Sequence, residues 1–216
     1  MTDNSGRSAL LPTSLISEVR LKVVYVRASK ERGYVCVCID DGADRKKREF
    51  TLTEREYEEA VKYAQGDMIS EEEYNLICLA DMRYRAKLKA LRVLSYSDNS
   101  DLRLYRKLVS SGISREIASE TVKEMHKLGY INTDRQISAF VKNEVKFHNT
   151  GPRKITDKLV AKGYKTADIE RVIDSLSELG EIDFERAKQE LISSKLASDA
   201  SEDEVKKLLY KNGYYL

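Results

Sequence analysis

Three stretches of thirteen residues decide the fold: SDLRLYRKLVSSG at 100–112, GPRKITDKLVAKG at 151–163 and SEDEVKKLLYKNG at 201–213. Each opens on a residue suited to a helix N-cap, Ser100, Gly151 or Ser201, and each closes on a glycine that can take the positive φ of a helix stop. Between them the apolar residues stand four apart: Leu104 and Leu108, Ile155 and Leu159, Val205 and Leu209. That spacing lays one apolar stripe along a helix. Pro152 falls at the first helical position, where its missing N–H costs nothing. The offset between the first two stretches is 51 residues, and between the last two 50.

Outward from these stretches the same offset of 51 persists. It carries Val122, Met125, Leu128, Gly129 and Ile131 onto Ile173, Leu176, Leu179, Gly180 and Ile182. It also carries Ala86, Ala90 and Leu94 onto Ile137, Val141 and Val145. Each unit therefore reads as three short helices, the second ending at Gly112, Gly163 or Gly213 and the third at Gly129 or Gly180. Ser114 and Thr166 are the hydroxyl caps expected for the third helices, one residue out of register. A third unit reads as truncated, since the sequence stops straight after its second helix. Units this small bury too little alone and are expected to stack on their neighbours.

Upstream the period changes. Val19, Leu21, Val23 and Tyr25 alternate as in a half-buried strand, and YVCVCI at 34–39 is rich in β-branched and aromatic residues. Asp41-Gly42 is a turn signal before a third strand at Glu49–Leu52. Thr53 with Glu56, and Ser70 with Glu73, have capping-box spacing. The first should open a helix with Tyr57, Ala60, Val61 and Ala64 on one face, ended by Gly66. The second should open a helix reaching Leu94. The fold class expected is mainly α: tandem three-helix repeats, two complete and a third truncated, after a small β-containing N-terminal region. The boundaries are 1–14 for a disordered arm, 15–70 for the small β-sheet plus helix, 71–135 for a linking helix and first repeat, 136–186 for the second repeat, and 187–216 for the truncated third.

Composition narrows the chemistry. The chain has 216 residues, 41% hydrophobic and 34% charged, with only 2 Pro and 10 Gly. No apolar run approaches the ~18 residues that cross a bilayer, and the start lacks the pattern of a secretory signal. A cytoplasmic location is expected. Cys36, Cys38 and Cys78 have neither disulfide nor zinc spacing, and read as core filling in a reducing compartment. His126 and His148 have no partner spaced for a metal or a nucleophilic triad, and GxGxxG and GxxxxGK[ST] are missing. The residues argue for no enzyme, no metal and no cofactor.

Charge is uneven along the chain. Residues 86–164 hold 16 Lys and Arg against 8 Asp and Glu, whereas 1–85 hold 14 against 16 and 165–216 hold 8 against 12. A block of net +8 between acidic ones is an electrostatic footprint for a polyanion or an acidic groove.

LRVLSYSDNSDLRLYRKLVSSGISREIASETVKEMHKLGYIN followed by AFVKNEVKFHNTGPRKITDKLVAKGY resembles the RecX family of recombinase regulators. The resemblance rests on Leu91, Leu94 and Ser95, on Leu104, Lys107, Leu108 and Gly112, on Leu128, Gly129, Tyr130, Ile131 and Asn132, and on Gly151, Pro152, Arg153, Lys154 and Ile155. It covers about residues 86–186. It implies a non-enzymatic protein, without cofactor, that binds RecA or its filament on single-stranded DNA and restrains ATP hydrolysis and strand exchange; a monomer is expected. Glu181 stands where the first unit has Tyr130, so any role of that tyrosine is not duplicated. The candidate partner surface is Arg92, Arg103, Arg106, Lys107, Lys142, Lys146, Arg153, Lys154, Lys158 and Lys162, on the polar side of the first and second helices. Direct DNA binding by helix-turn-helix-like units, weak or as the main activity, is the alternative reading of the same cations.

Overall fold

The structure is a computed structural model and describes residues 21–40, 47–60 and 62–215. The expected arm at 1–14, Val19, the Asp41-Gly42 turn and Val61 lie outside the described residues. The chain forms two compact units, 1–81 and 82–216.

In the first unit, β1 (Leu21–Ala28), β2 (Tyr34–Asp40), β3 (Lys47–Thr53) and β4 (Met68–Ile69) form an antiparallel sheet of order β3-β2-β1-β4. Val23, Val37, Ile39, Phe50 and Leu52 cover one face and pack with Ile77 and Ala80. These two belong to α2 (Glu71–Tyr96), whose residues from 82 onward are part of the second unit. Both capping boxes are made in full: Thr53 with Glu56, and Ser70 with Glu73.

Two local expectations are corrected, and a fourth strand is added. The register of β1 shifts between Val23 and Tyr25, which sets Tyr25 beside Cys38 and away from Val23's partner Ile39. One extra residue reverses the facing of everything after it. The helix opened at Thr53, α1 (Glu54–Ala60), stops short of Ala64. There the Tyr57 hydroxyl donates to the Tyr63 carbonyl, and Gly66, at φ 101°, donates its N–H to Val23. Those bonds turn the chain back to the edge of β1. They also create β4, two residues too short to show a period.

The second unit continues through α3 (Asp101–Ser110), α4 (Arg115–Lys127), α5 (Thr133–His148), α6 (Pro152–Ala161), α7 (Thr166–Glu178), α8 (Phe184–Lys195) and α9 (Glu202–Lys211). The end of α2 with α3 and α4 is one repeat, α5–α7 the next, and α8–α9 supply two helices of a third. Ser100, Gly151 and Ser201 are the N-caps of the second helices. Asn132 and Asp183, 51 apart, cap α5 and α8 through backbone N–H groups three residues on. The cap expected at Thr166 is corrected. Lys165 is the N-cap, and Thr166 is already helical. Lys165 lies 51 residues after Ser114, so the repeat register is unbroken, with a hydroxyl cap replaced by a residue that makes no side-chain cap.

Each repeat closes its own core. Ala90, Leu104, Leu108, Ala118, Val122, Met125 and Ile131 fill the first, and Ile137, Val141, Ile155, Leu159, Ile169, Ile173 and Leu176 the second. Leu191, Leu209 and Tyr214 hold the third together. Leu104, Leu108, Ile155 and Leu159 are wholly buried.

Candidate functional site

The repeats meet where the N-terminus of one second helix reaches the C-terminus of the next. At the first junction the Ser100 hydroxyl accepts from the Arg103 N–H at 3.3 Å and donates to the Lys162 carbonyl at 2.6 Å. It thus caps its own helix and satisfies an orphan acceptor of α6. At the second junction the Gly151 N–H donates to the Asn212 carbonyl at 2.8 Å, and the Arg153 N–H to the Gly213 carbonyl at 3.1 Å.

This geometry decides the fate of several candidate cations. The Arg153 guanidinium donates to the Tyr210 carbonyl at 2.6 Å and lies over the Tyr210 ring at 4.1 Å. Lys154 Nζ donates to the Lys211 carbonyl at 3.3 Å. Both therefore stand at the C-terminus of α9, where a cation is favourable. Lys158 Nζ donates at 2.6 Å to Glu144, whose carboxylate also accepts from the Thr150 hydroxyl at 2.8 Å. Burial pushes the Glu144 carboxyl up, but Lys158 and Thr150 together outweigh it and hold the group below its ordinary range. Lys107, the equivalent of Lys158, donates at 2.7 Å to Asn99 in the turn before its own helix. Lys142 pairs with Glu181, the residue standing where the first unit has Tyr130.

The remaining candidates are more open. Arg103 and Lys162 are brought together across the first junction, in a groove of about 340 Å³ that also includes Asp98, Gln136, Phe140 and Asn143. Lys162 lies over the Phe140 ring at 4.2 Å. Tyr164 closes the groove, its hydroxyl donating to Gln136 at 2.8 Å, and burial pushes that phenol up. Arg92 and Arg106 are exposed on α2 and α3 and do not line this groove. Lys146 borders a different depression with Glu181 and Glu190, and sits over its neighbour Phe147 at 5.3 Å. Sequence reading passed over Gln136, Phe140 and Asn143, which carry no motif. Tyr164 did carry a signal, because it follows a stop glycine and matches Tyr214.

The groove lining sets Arg103 and Lys162 beside the carboxylate of Asp98 and the amides of Gln136 and Asn143, a polar surface carrying both signs of charge. Its shape is open and its lining mixed, unlike the enclosed apolar pocket of a small-molecule site. Among the described residues no group of His, Cys, Asp and Glu is placed to hold a metal ion, and no helix is long and apolar enough to cross a membrane. Cys36 and Cys38 are buried and Cys78 half-buried, all as free thiols. His126 sits 3.2 Å from Asp101 at the surface.

No family model matches the chain. Curated relatives do. The chain is 26% identical over 172 residues to the regulatory protein RecX of Lactobacillus johnsonii, a match covering 80% of this chain and 60% of that protein. It is 25% identical to the regulatory protein RecX of Lactobacillus gasseri, covering 88% and 80% respectively. With the regulatory protein RecX of Clostridioides difficile it shares 26% identity over 70% of this chain and 69% of that one. The fold is similar to a crystal structure of regulatory protein RecX, with a TM-score of 0.65 at 20% identity, over 90% of this chain and 95% of that one. Relatives by sequence and by fold converge, and the chain is similar in both to the regulatory proteins named RecX.

Proposed function

We propose that this protein is a non-enzymatic regulator that binds the RecA recombinase, or its filament on single-stranded DNA, and restrains ATP hydrolysis and strand exchange. Its partner face is the open part of the basic block: Arg92, Arg103, Arg106 and Lys162, with Lys146 at the margin. The observation that carries the reading is the junction groove, where two repeats together hold Arg103 and Lys162 at the surface of a stacked array. An array of this kind offers length and a repeated pitch to a long partner. Its cations steer it toward an acidic groove or a phosphate backbone.

The test is inhibition of RecA ATPase on single-stranded DNA, followed against protein concentration at two ionic strengths. The variant Arg92→Glu, Arg103→Glu, Arg106→Glu, Lys162→Glu should need at least tenfold more protein for half inhibition and show a flatter salt dependence, with helical circular dichroism unchanged. Lys107, Arg153, Lys154 and Lys158 are left intact, because reversing them would break bonds inside the fold. Full inhibition by the variant would remove the basic face from the mechanism. Equal loss of binding to bare DNA and to the filament would favour the direct DNA-binding reading.

A further inference from the structure

The junction that joins the repeats is made twice within the chain, and its two halves are also present, apart, at opposite ends of the array. A β-carbon at Gly163 would lie 2.9 Å from Ser100 Oγ, and one at Gly213 would run into Lys154, because a neighbouring helix start is docked there. At Gly112, the same position of the first repeat, a β-carbon would meet nothing within 4 Å. In its place is a groove of about 370 Å³ lined by Met82, Arg85, Lys89, Gly112, Ile113 and Ile117. Shifted by 51, Arg85, Lys89 and Ile113 are Gln136, Phe140 and Tyr164 of the occupied groove. Met82 is 54% exposed within it.

The matching half lies at Ser201. Its equivalents Ser100 and Gly151 each bond across a junction, but the Ser201 hydroxyl turns back to its own Glu204 at 2.9 Å. The first turn of α9 is Glu202, Asp203 and Glu204, all exposed. The groove at Gly112 carries Arg85 and Lys89. We propose that a second copy of this chain fills the Gly112 groove with the N-terminus of its α9, repeating between molecules the junction made within each. The Ser201 hydroxyl would turn from Glu204 to the Ser111 carbonyl, as Ser100 does to Lys162, while Asp203 and Glu204 face Arg85 and Lys89. The contact joins unlike ends, so a pair made by one junction keeps a free groove and a free tail, and growth continues from both. A single small junction is weak alone, and association is expected only at high protein concentration.

The inference does not depend on RecA and is tested without it. Sedimentation of the full chain at low salt should show an average mass that rises with concentration past that of a dimer. Lys89→Glu, with a dead groove, and Asp203→Lys, with a dead tail, should each stay monomeric with unchanged thermal midpoints. Mixed, they should assemble again past a dimer, because the native pair of Lys89 with Asp203 and the pair with both charges swapped then alternate along the chain. Both changes in one chain should restore assembly through the swapped charge pair. A constant mass for the wild type, single variants that assemble like it, or growth that halts at a dimer in the wild type would each overturn the proposal. So would a monomer whose Lys89 resists amine-reactive labelling, which would put another part of the same chain in the groove.

Discussion

Glu144 is 7% exposed, and a carboxylate in such a place is costly unless it is both paired and hydrogen-bonded. Lys158 and Thr150 supply both, and their combined pull overcomes the burial that would otherwise raise its pKa. Because the folded value is lowered, the contribution to stability is present above the ordinary carboxylate pKa and is lost as pH falls through the folded value. Lys158→Ala would leave the carboxylate buried without its cation and should cost about 1–3 kcal/mol at neutral pH. That figure sits below the range for fully buried pairs because the Lys158 side chain is 38% exposed. Urea denaturation at pH 7 and pH 4 checks it: the variant's deficit should shrink at the lower pH. Sequence placed Lys107 and Lys158 on the polar side of their helices, and that was right as far as spacing goes. What spacing could not show is that Lys107 folds back onto Asn99 in the turn preceding its own helix, and Lys158 onto Glu144 of the preceding helix α5. Arg153 and Lys154 were hidden for a related reason, since their acceptors are backbone carbonyls 57 residues away.

The second helices all end in the same way, with the residue after the glycine donating back to the buried leucine: Ile113 to Leu108, Tyr164 to Leu159 and Tyr214 to Leu209. Gly112, Gly163 and Gly213 hold φ near 90°, where a β-carbon is strained. The three differ only in what stands beside them, so alanine at each separates strain from docking. Gly112→Ala should cost about 1–2 kcal/mol, the left-handed penalty alone. Gly163→Ala should cost more, since Ser100 and Leu102 must also give way, and Gly213→Ala most, because its obstacle is the Lys154 backbone. Urea midpoints in the order Gly112, Gly163, Gly213 from mildest to worst would bear this out, and equal costs would show that the junctions yield freely. Elements of this kind are legible in sequence because their apolar spacing, caps and stops agree with one another. Where the signals were thin, reading failed: at the end of α1, at two-residue β4, and at the β1 bulge, all decided by sheet pairing between residues far apart in the chain.

Across the whole array the third repeat is the least enclosed, with a core of three buried residues. One of them, Tyr214, donates its hydroxyl to the Asn149 carbonyl and packs where burial pushes the phenol up to about 12. A folded value above the unfolded one of about 10 means that stability is intact below pH ~10 and falls as pH climbs toward 12. Alkaline titration should therefore loosen α9 before the second repeat melts. Tyr214→Phe, which cannot ionise, should lose less helical circular dichroism between pH 10 and 12 than the wild type. Equal losses in the two proteins would place the weak point elsewhere. The repeat, its period and its basic block were visible from sequence; the sharing of cations between fold and surface was not, because it depends on which helix ends touch.

The repeats join through main-chain groups at Gly151 and Gly213 and through the Ser100 hydroxyl, so a few small residues at fixed positions make the joint. A length of 51 residues can in principle be added or removed at such a joint without inventing a new fit, since the incoming helix start finds the same carbonyls and the same glycine. Reach thus becomes a countable quantity, set by duplication and deletion of whole modules, while the side chains on the outer faces stay free to change their partner.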